Sequence, residues 1–265
     1  STLIAILIFC FSYDFGMFWD NVLFASKMGN QLYENGLFNW RMPIEFDPGH
    51  PPFLAFLLAI AWKILGHSLW VSHLVMLPFV AGTIYQIHRL VFFYTKSNLA
   101  SIAGLALILS DPTLSTSFVL VNPETIILFF FLLTMNGFLH DQKKLKFIGL
   151  VFLSLITFRS MMLFAGFFIF EILNQSVIKK GSLKELIKPK FLIFYLLAAL
   201  PGIAYVSWRL LSVGWLQTHP DSPWASYWHL PSLQEFIHNA IVLVWRYLDF
   251  GRVFMFLFLI VGLWH

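Results

Sequence analysis

The sequence predicts an all-α polytopic membrane protein: a helical bundle of about eight crossings, with interfacial helices in its first outer loop. Three observations lead there. The chain has 265 residues, 59% hydrophobic and only 11% charged, whereas soluble domains carry about a quarter charged residues. Its apolar segments run on without the alternation of barrel strands, which leaves helices to satisfy the backbone in lipid. Most of its lysines and most of its acids fall in different connections along the chain.

Taken in order, the apolar runs predict helices at roughly 1–12, 51–66, 69–93, 98–110, 122–139, 146–158, 160–175, 190–212 and 237–264. The opening run is shorter than the ~20 residues a span needs, and the last stops abruptly. Residues 1–265 therefore read as one membrane module, a piece cut from a longer protein at both ends. The 31 Phe and 10 Trp suit lipid-facing and interfacial positions. The single cysteine, Cys10, excludes an internal disulfide and a cysteine metal cluster. No low-complexity linker, P-loop, GxGxxG fingerprint or cysteine-based zinc motif appears.

Three connections are basic. They carry Lys96; Lys143, Lys144 and Lys146; and Lys179, Lys180, Lys184, Lys188 and Lys190. The positive-inside rule assigns them to the cytoplasm. The opposite side then receives residues 13–68, the stretch SDPTLSTSFVLVNPE, the TFRS corner near 157–160, and GWLQTHPDSPWASYWHLPS. Most acids are there: Asp14, Asp20, Glu34, Glu45, Asp47, Asp111, Glu124, Asp221 and Glu235. The same rule fails if 51–66 crosses fully, so that short run is expected to lie along or dip into the outer interface. The short runs 98–110, 146–158 and 160–175 predict a thinned or recessed outer region.

Within the first outer loop, Val22, Leu23, Ala25, Met28, Leu32 and Leu37 approximate an amphipathic helix that Gly36 ends. Asp20 opens it, where a helix favours an anion and where Asp is also an ordinary cap. The stretch EFDPGHPPF then sets Glu45, Asp47 and His50 against a double proline, with His50 biased to extended geometry by Pro51. Asp111 and Glu124 stand beside Pro112 and Pro123 at helix mouths, which helix initiation alone also explains. Arg159 interrupts ITFRSMML between two apolar runs, where an ionised group is costly unless it snorkels outward. His219 and Asp221 fall in a loop rich in Trp and Tyr, the composition of an interfacial belt. Arg246 and Asp249 read as a pair within the last run.

In order, spacing and common side, these residues resemble the GT-C superfamily of membrane glycosyltransferases, specifically glycosyltransferase family 39, the protein O-mannosyltransferase and aminoarabinose transferase branch. The family opens an outer helix with an acid followed by an aromatic and Ala, closing at Gly plus an aromatic; here these are Asp20, Phe24, Ala25, Gly36 and Phe38. Its PPL element matches HPPF, running on to ILG. Its acid at a helix mouth before a Phe/Leu-rich run matches Glu124 in VNPETIILFFFLL. Asn21 stands where the mannosyltransferases carry Glu, and no DxD triplet occurs.

The resemblance implies an inverting enzyme that takes a sugar from a polyprenyl phosphate and passes it to an acceptor hydroxyl on the extracytoplasmic face of a bacterial cytoplasmic membrane. Asp20 is then the catalytic base. Arg159 and His50 cradle the departing phosphate, with Asp47, Asp111 and Glu124 orienting them or touching sugar hydroxyls. Asp14, His219 and Asp221 are further candidates for sugar or acceptor contacts. Partners are the lipid-linked donor, membrane lipid, and an acceptor lipid, glycan or protein; nucleic acid is not among them. No cofactor is required, although His50, Asp47 and Glu124 are the residue types of a divalent metal site. A lipid or sugar transporter, or a non-catalytic subunit with the same fold, stands as the alternative. A transporter predicts ionisable groups spread through the membrane's depth.

Overall fold

The computed structural model describes residues 1–18, 20–174, 189–216, 218, 219, 221 and 231–248, with Phe46 by its backbone alone. All regular structure among these residues is helical. Helix α1 spans Thr2–Ser12 and is followed by the first loop. Asp20 and Asn21 begin a helix that runs through a π-helical segment, Val22–Lys27, into α2, Met28–Asn35. Gly36, at φ +104°, ends it, as only a residue without Cβ does easily. The single amphipathic helix expected over this stretch therefore has a π-turn at its front, which hydrophobic spacing does not reveal.

Next come α3, Phe53–Leu65, and α4, Leu69–Thr95. Helix α5, Asn98–Leu109, bends by 78° into α6, Pro112–Val119. The cause is local. Asp111 accepts the amides of Thr113 and Leu114 and so starts a new helix with Pro112 in its first turn. Asn122 caps α7, Pro123–Leu139, in the same way. Helix α8, Lys143–Leu153, ends four residues before α9, Phe158–Leu173, which opens on a reciprocal capping box between Thr157 and Ser160. Helix α10 is Pro189–Ser212 and α11 is Leu233–Leu248.

Two of these helices, α4 and α10, are long and apolar enough to cross a membrane, and the bent α5–α6 pair makes three if taken as one span. This fits an α-helical membrane protein. It corrects the expectation of about eight crossings. Helix α7, at 17 residues, is about 25 Å long, against a hydrocarbon core of about 30 Å, and α1, α8 and α9 are shorter still. The run expected at 237–264 is described only to Leu248 and begins earlier, at Leu233.

The main core joins α3, α4, α7, α8, α9 and α10 through Leu58, Met76, Phe130, Leu150, Phe167 and Ala198. Helices α7 and α8 pack closely because Gly149 lies against Thr134 and the Phe130 carbonyl, where a Cβ has no room. A smaller cluster, Met28, Leu32, Ala55 and Ala59, fastens α2 to α3.

The bundle has two chemically distinct ends. At one, Arg89 on α4 donates to Gln142 at 2.9 Å, His140 packs on Phe93, and Lys96 lies over the same ring. Lys146, expected in a loop, is instead drawn into the first turn of α8. It pairs with Glu171 of α9 at 2.9 Å, and the Tyr195 hydroxyl of α10 donates to the same carboxylate. The other end gathers the N-termini of α3, α7 and α9 with the C-terminal part of α10. Most of the candidate residues are there.

Candidate functional site

The turn before α3 is built around Asp47. One carboxylate oxygen accepts the Gly49 amide at 2.9 Å; the other accepts the Arg209 guanidinium at 2.6 Å and the Trp215 indole at 3.4 Å. Asp47 and Arg209 are each 1% exposed. Arg209 also donates from Nε to the Leu216 carbonyl at 3.0 Å, and Tyr205, one turn earlier on α10, donates to the Gly49 carbonyl at 3.5 Å. A charge so deeply buried persists only when paired and hydrogen-bonded. Of the two roles expected for Asp47, orienting the cluster or touching sugar hydroxyls, its burial and committed oxygens suit the first: they hold the turn that carries His50.

His50 sits on that turn. Its ring stacks on Phe24 of the π-segment, with centroids 5.3 Å apart, and tilts against Phe158, the first residue of α9, at 5.6 Å. Its Nδ1 accepts the Phe158 amide at 3.4 Å. Burial, then the nearby Arg159 and Arg209, pushes the imidazole down to about 4, with Asp47 opposing. This favours the uncharged imidazole at neutral pH, where a cation was expected. The sign for stability follows. Between about pH 6.5, the ordinary value, and about 4, the unfolded chain binds a proton that the folded chain refuses, so stability falls as pH falls through that window. Denaturation midpoints measured from pH 7 to pH 4 are expected to drop, and His50→Gln is expected to flatten part of that slope.

Arg159, adjoining Phe158, approaches Glu124 at the start of α7 at 3.5 Å; their side chains are 71% and 50% exposed. Asp20, exposed at the start of its helix, contributes to the electrostatics of the same Glu124 carboxylate. Four candidates from four separate stretches of the chain, Asp20, His50, Glu124 and Arg159, thus share one neighbourhood. It opens beside an apolar pocket of about 130 Å³ lined by Trp40, Pro51, Pro52, Phe53, Phe56 and Leu155.

The remaining candidates stand elsewhere or in other roles. Asp14 lies beside His73 at the start of α4, where the imidazole meets the Phe15 carbonyl at 2.9 Å. Asp111 is the cap of α6. His219 packs edge-on against Trp215 at 4.4 Å and lies 3.7 Å from Asp221, which links this pair to Asp47 through the indole. Arg246 is on α11, and Asp249 lies outside the described residues. Among the described residues no group of three or more His, Cys, Asp or Glu is placed to hold a metal ion, so His50, Asp47 and Glu124 do not form the site their residue types allowed. Sequence reading missed Arg209. A lone arginine inside the apolar run 190–212 was itself the signal, because such a residue needs a partner. No protein-family model, curated protein or solved structure matches the chain.

Proposed function

We propose that this chain is the membrane module of an inverting glycosyltransferase that moves a sugar from a polyprenyl phosphate to an acceptor hydroxyl. One observation carries the reading: at one end of the bundle an acidic and basic cluster, Asp20, Glu124, Arg159 and His50, abuts a pocket lined wholly by apolar side chains. A charged phosphate on a long hydrocarbon chain needs that combination. The resemblance to GT-C enzymes of glycosyltransferase family 39 points the same way.

Asp20 accepts the proton of the acceptor hydroxyl as its oxygen attacks the anomeric carbon. The bond from that carbon to the phosphate oxygen breaks on the opposite face, and the phosphate leaves with the electron pair, so configuration inverts. Arg159, exposed and 3.5 Å from Glu124 rather than tightly bonded to it, meets the charge that develops on the phosphate. Glu124 holds the guanidinium in place before substrate arrives. Pro51, Pro52 and Phe53 begin an apolar wall for the polyprenyl tail directly after His50. In this reading the chain acts on the extracytoplasmic face of a bacterial membrane, and its acceptor is a lipid, glycan or protein.

The test is release of free polyprenyl phosphate from a radiolabelled lipid-linked sugar by the purified chain in vesicles. Release that depends on an acceptor hydroxyl is the expected outcome. Movement of the intact lipid-sugar between leaflets without release identifies a transporter, and neither activity identifies a non-catalytic subunit.

A further inference from the structure

The buried ion pair lies too deep to meet substrate, yet it is tied to the turn that carries His50. Asp47 and Gly49, three residues and one residue before His50, are both held by α10: Asp47 by Arg209 at 2.6 Å and the Gly49 carbonyl by Tyr205 at 3.5 Å. Arg209 and Tyr205 are one helical turn apart on a common face, so α10 grips the turn at two points. On the far side, the His50 ring lies between Phe24 and Phe158, with the Phe158 amide directed at Nδ1.

That amide decides the tautomer. A nitrogen that accepts an N–H bond carries no proton, so the neutral ring bears its proton on Nε2. The charged groups that bear on the ring are Arg159, Arg209 and Asp47; the two guanidiniums oppose a second proton. We propose that Arg209 is a positioning residue for His50: acting through Asp47, it seats the ring on the Phe158 amide and so presents Nε2–H as a neutral donor to an anionic oxygen of the substrate. What that donor does in catalysis rests on the transferase reading; the seating of the ring does not.

A neutral donor in this position differs from a cation in what it discriminates. It bonds a phosphate or sugar oxygen by direction and leaves the charge balance to Arg159. Arg209 adds to the field that keeps it neutral, at no cost in exposed charge, because its own charge is balanced within the fold by Asp47.

The experiment is nitrogen NMR of the full chain, ¹⁵N-labelled at histidine, in lipid nanodiscs, with His50 assigned by His50→Gln. The wild type is expected to show Nε2 protonated and Nδ1 bare at pH 7. In Arg209→Lys, which keeps the charge but loses the planar fork, the His50 signal is expected to become a mixture of tautomers and to titrate closer to the ordinary value of about 6.5. Release of lipid phosphate is expected to fall about tenfold to a hundredfold in the same variant. A wild-type ring protonated on Nδ1 overturns the proposal, as does a folded Arg209→Lys protein with an unchanged His50 signal. If Arg209→Lys does not fold, Asp47→Asn keeps an acceptor for the Gly49 amide but removes the charge that Arg209 pairs with; an unchanged His50 signal there also overturns it. Because the resonances are read without turnover, a chain that shows the predicted tautomer but transfers no sugar refutes the transferase reading and leaves the positioning role intact.

Discussion

Asp47→Ala is expected to destabilise the fold by about 3–5 kcal/mol, the usual consequence of removing one partner from a buried ion pair. The geometry leaves little relief. Arg209 is 1% exposed, so water cannot replace the carboxylate without opening the end of α10. Two further acceptors of its N–H groups, the Leu216 carbonyl and the Tyr205 hydroxyl, are neutral and do not replace a carboxylate. The Trp215 indole and the Gly49 amide lose their acceptor as well. Replacing both ions together, as in Asp47→Leu with Arg209→Met, is expected to cost less than either single change, because no uncompensated charge then stays inside. Denaturant midpoints in detergent micelles measure both. A loss below about 1 kcal/mol for Asp47→Ala would mean that the guanidinium finds water and that the pair does not hold this end of the bundle together. Arg159 offers the contrast. It pairs with Glu124 across 3.5 Å with both side chains largely in solvent, and such pairs contribute about 1 kcal/mol or less. Effects of Arg159→Ala on turnover can therefore be read without a folding correction.

Asp20→Asn is expected to lower sugar transfer by about 10²–10⁴-fold, the range assigned to a general base, with the protein still folded and still binding lipid. Asparagine is a demanding control here. It starts a helix about as well as aspartate, it matches the side chain in shape, and Asp20 is exposed, so neither capping nor packing accounts for a loss of rate. The change removes the charge and the proton acceptor only. The single-turnover rate of lipid-phosphate release, compared with lipid binding by the same preparation, separates chemistry from affinity. Unchanged turnover takes Asp20 out of the mechanism. Glu124 then becomes the carboxylate to test, since it lies in the same cluster and already engages Arg159.

Much of the secondary structure was legible because its signals are local. Helices α4, α7 and α10 begin and end within two residues of the apolar runs that predict them. Asn122 and Thr157 cap helices through amides three positions away, a range that residue order encodes directly. The same locality misled at Asp111. Its proline neighbour and its acid were visible, but the 78° bend they produce depends on where α5 and α6 pack. Crossing number was overestimated for a related reason. An apolar run records that a segment avoids water, and a core of packed helices satisfies that as well as lipid does; α7 and α8 spend their apolar faces on each other and on α4.

Order along the chain by itself determined that this protein is helical, that its basic and acidic residues are set apart, and that Asp20, His50, Glu124 and Arg159 are the groups to watch. Tertiary structure alone decided which of them meet, that Asp47 belongs to the scaffold, and that Arg209 is its partner from 162 residues away. The physical reason lies in range. Helix propensity and capping act over a turn or so of chain, whereas the state of an ionisable group depends on burial and on charges brought near by folding. No spacing encodes that, so the neutral His50 and the Arg209–Asp47 pair become visible only once the helices are packed.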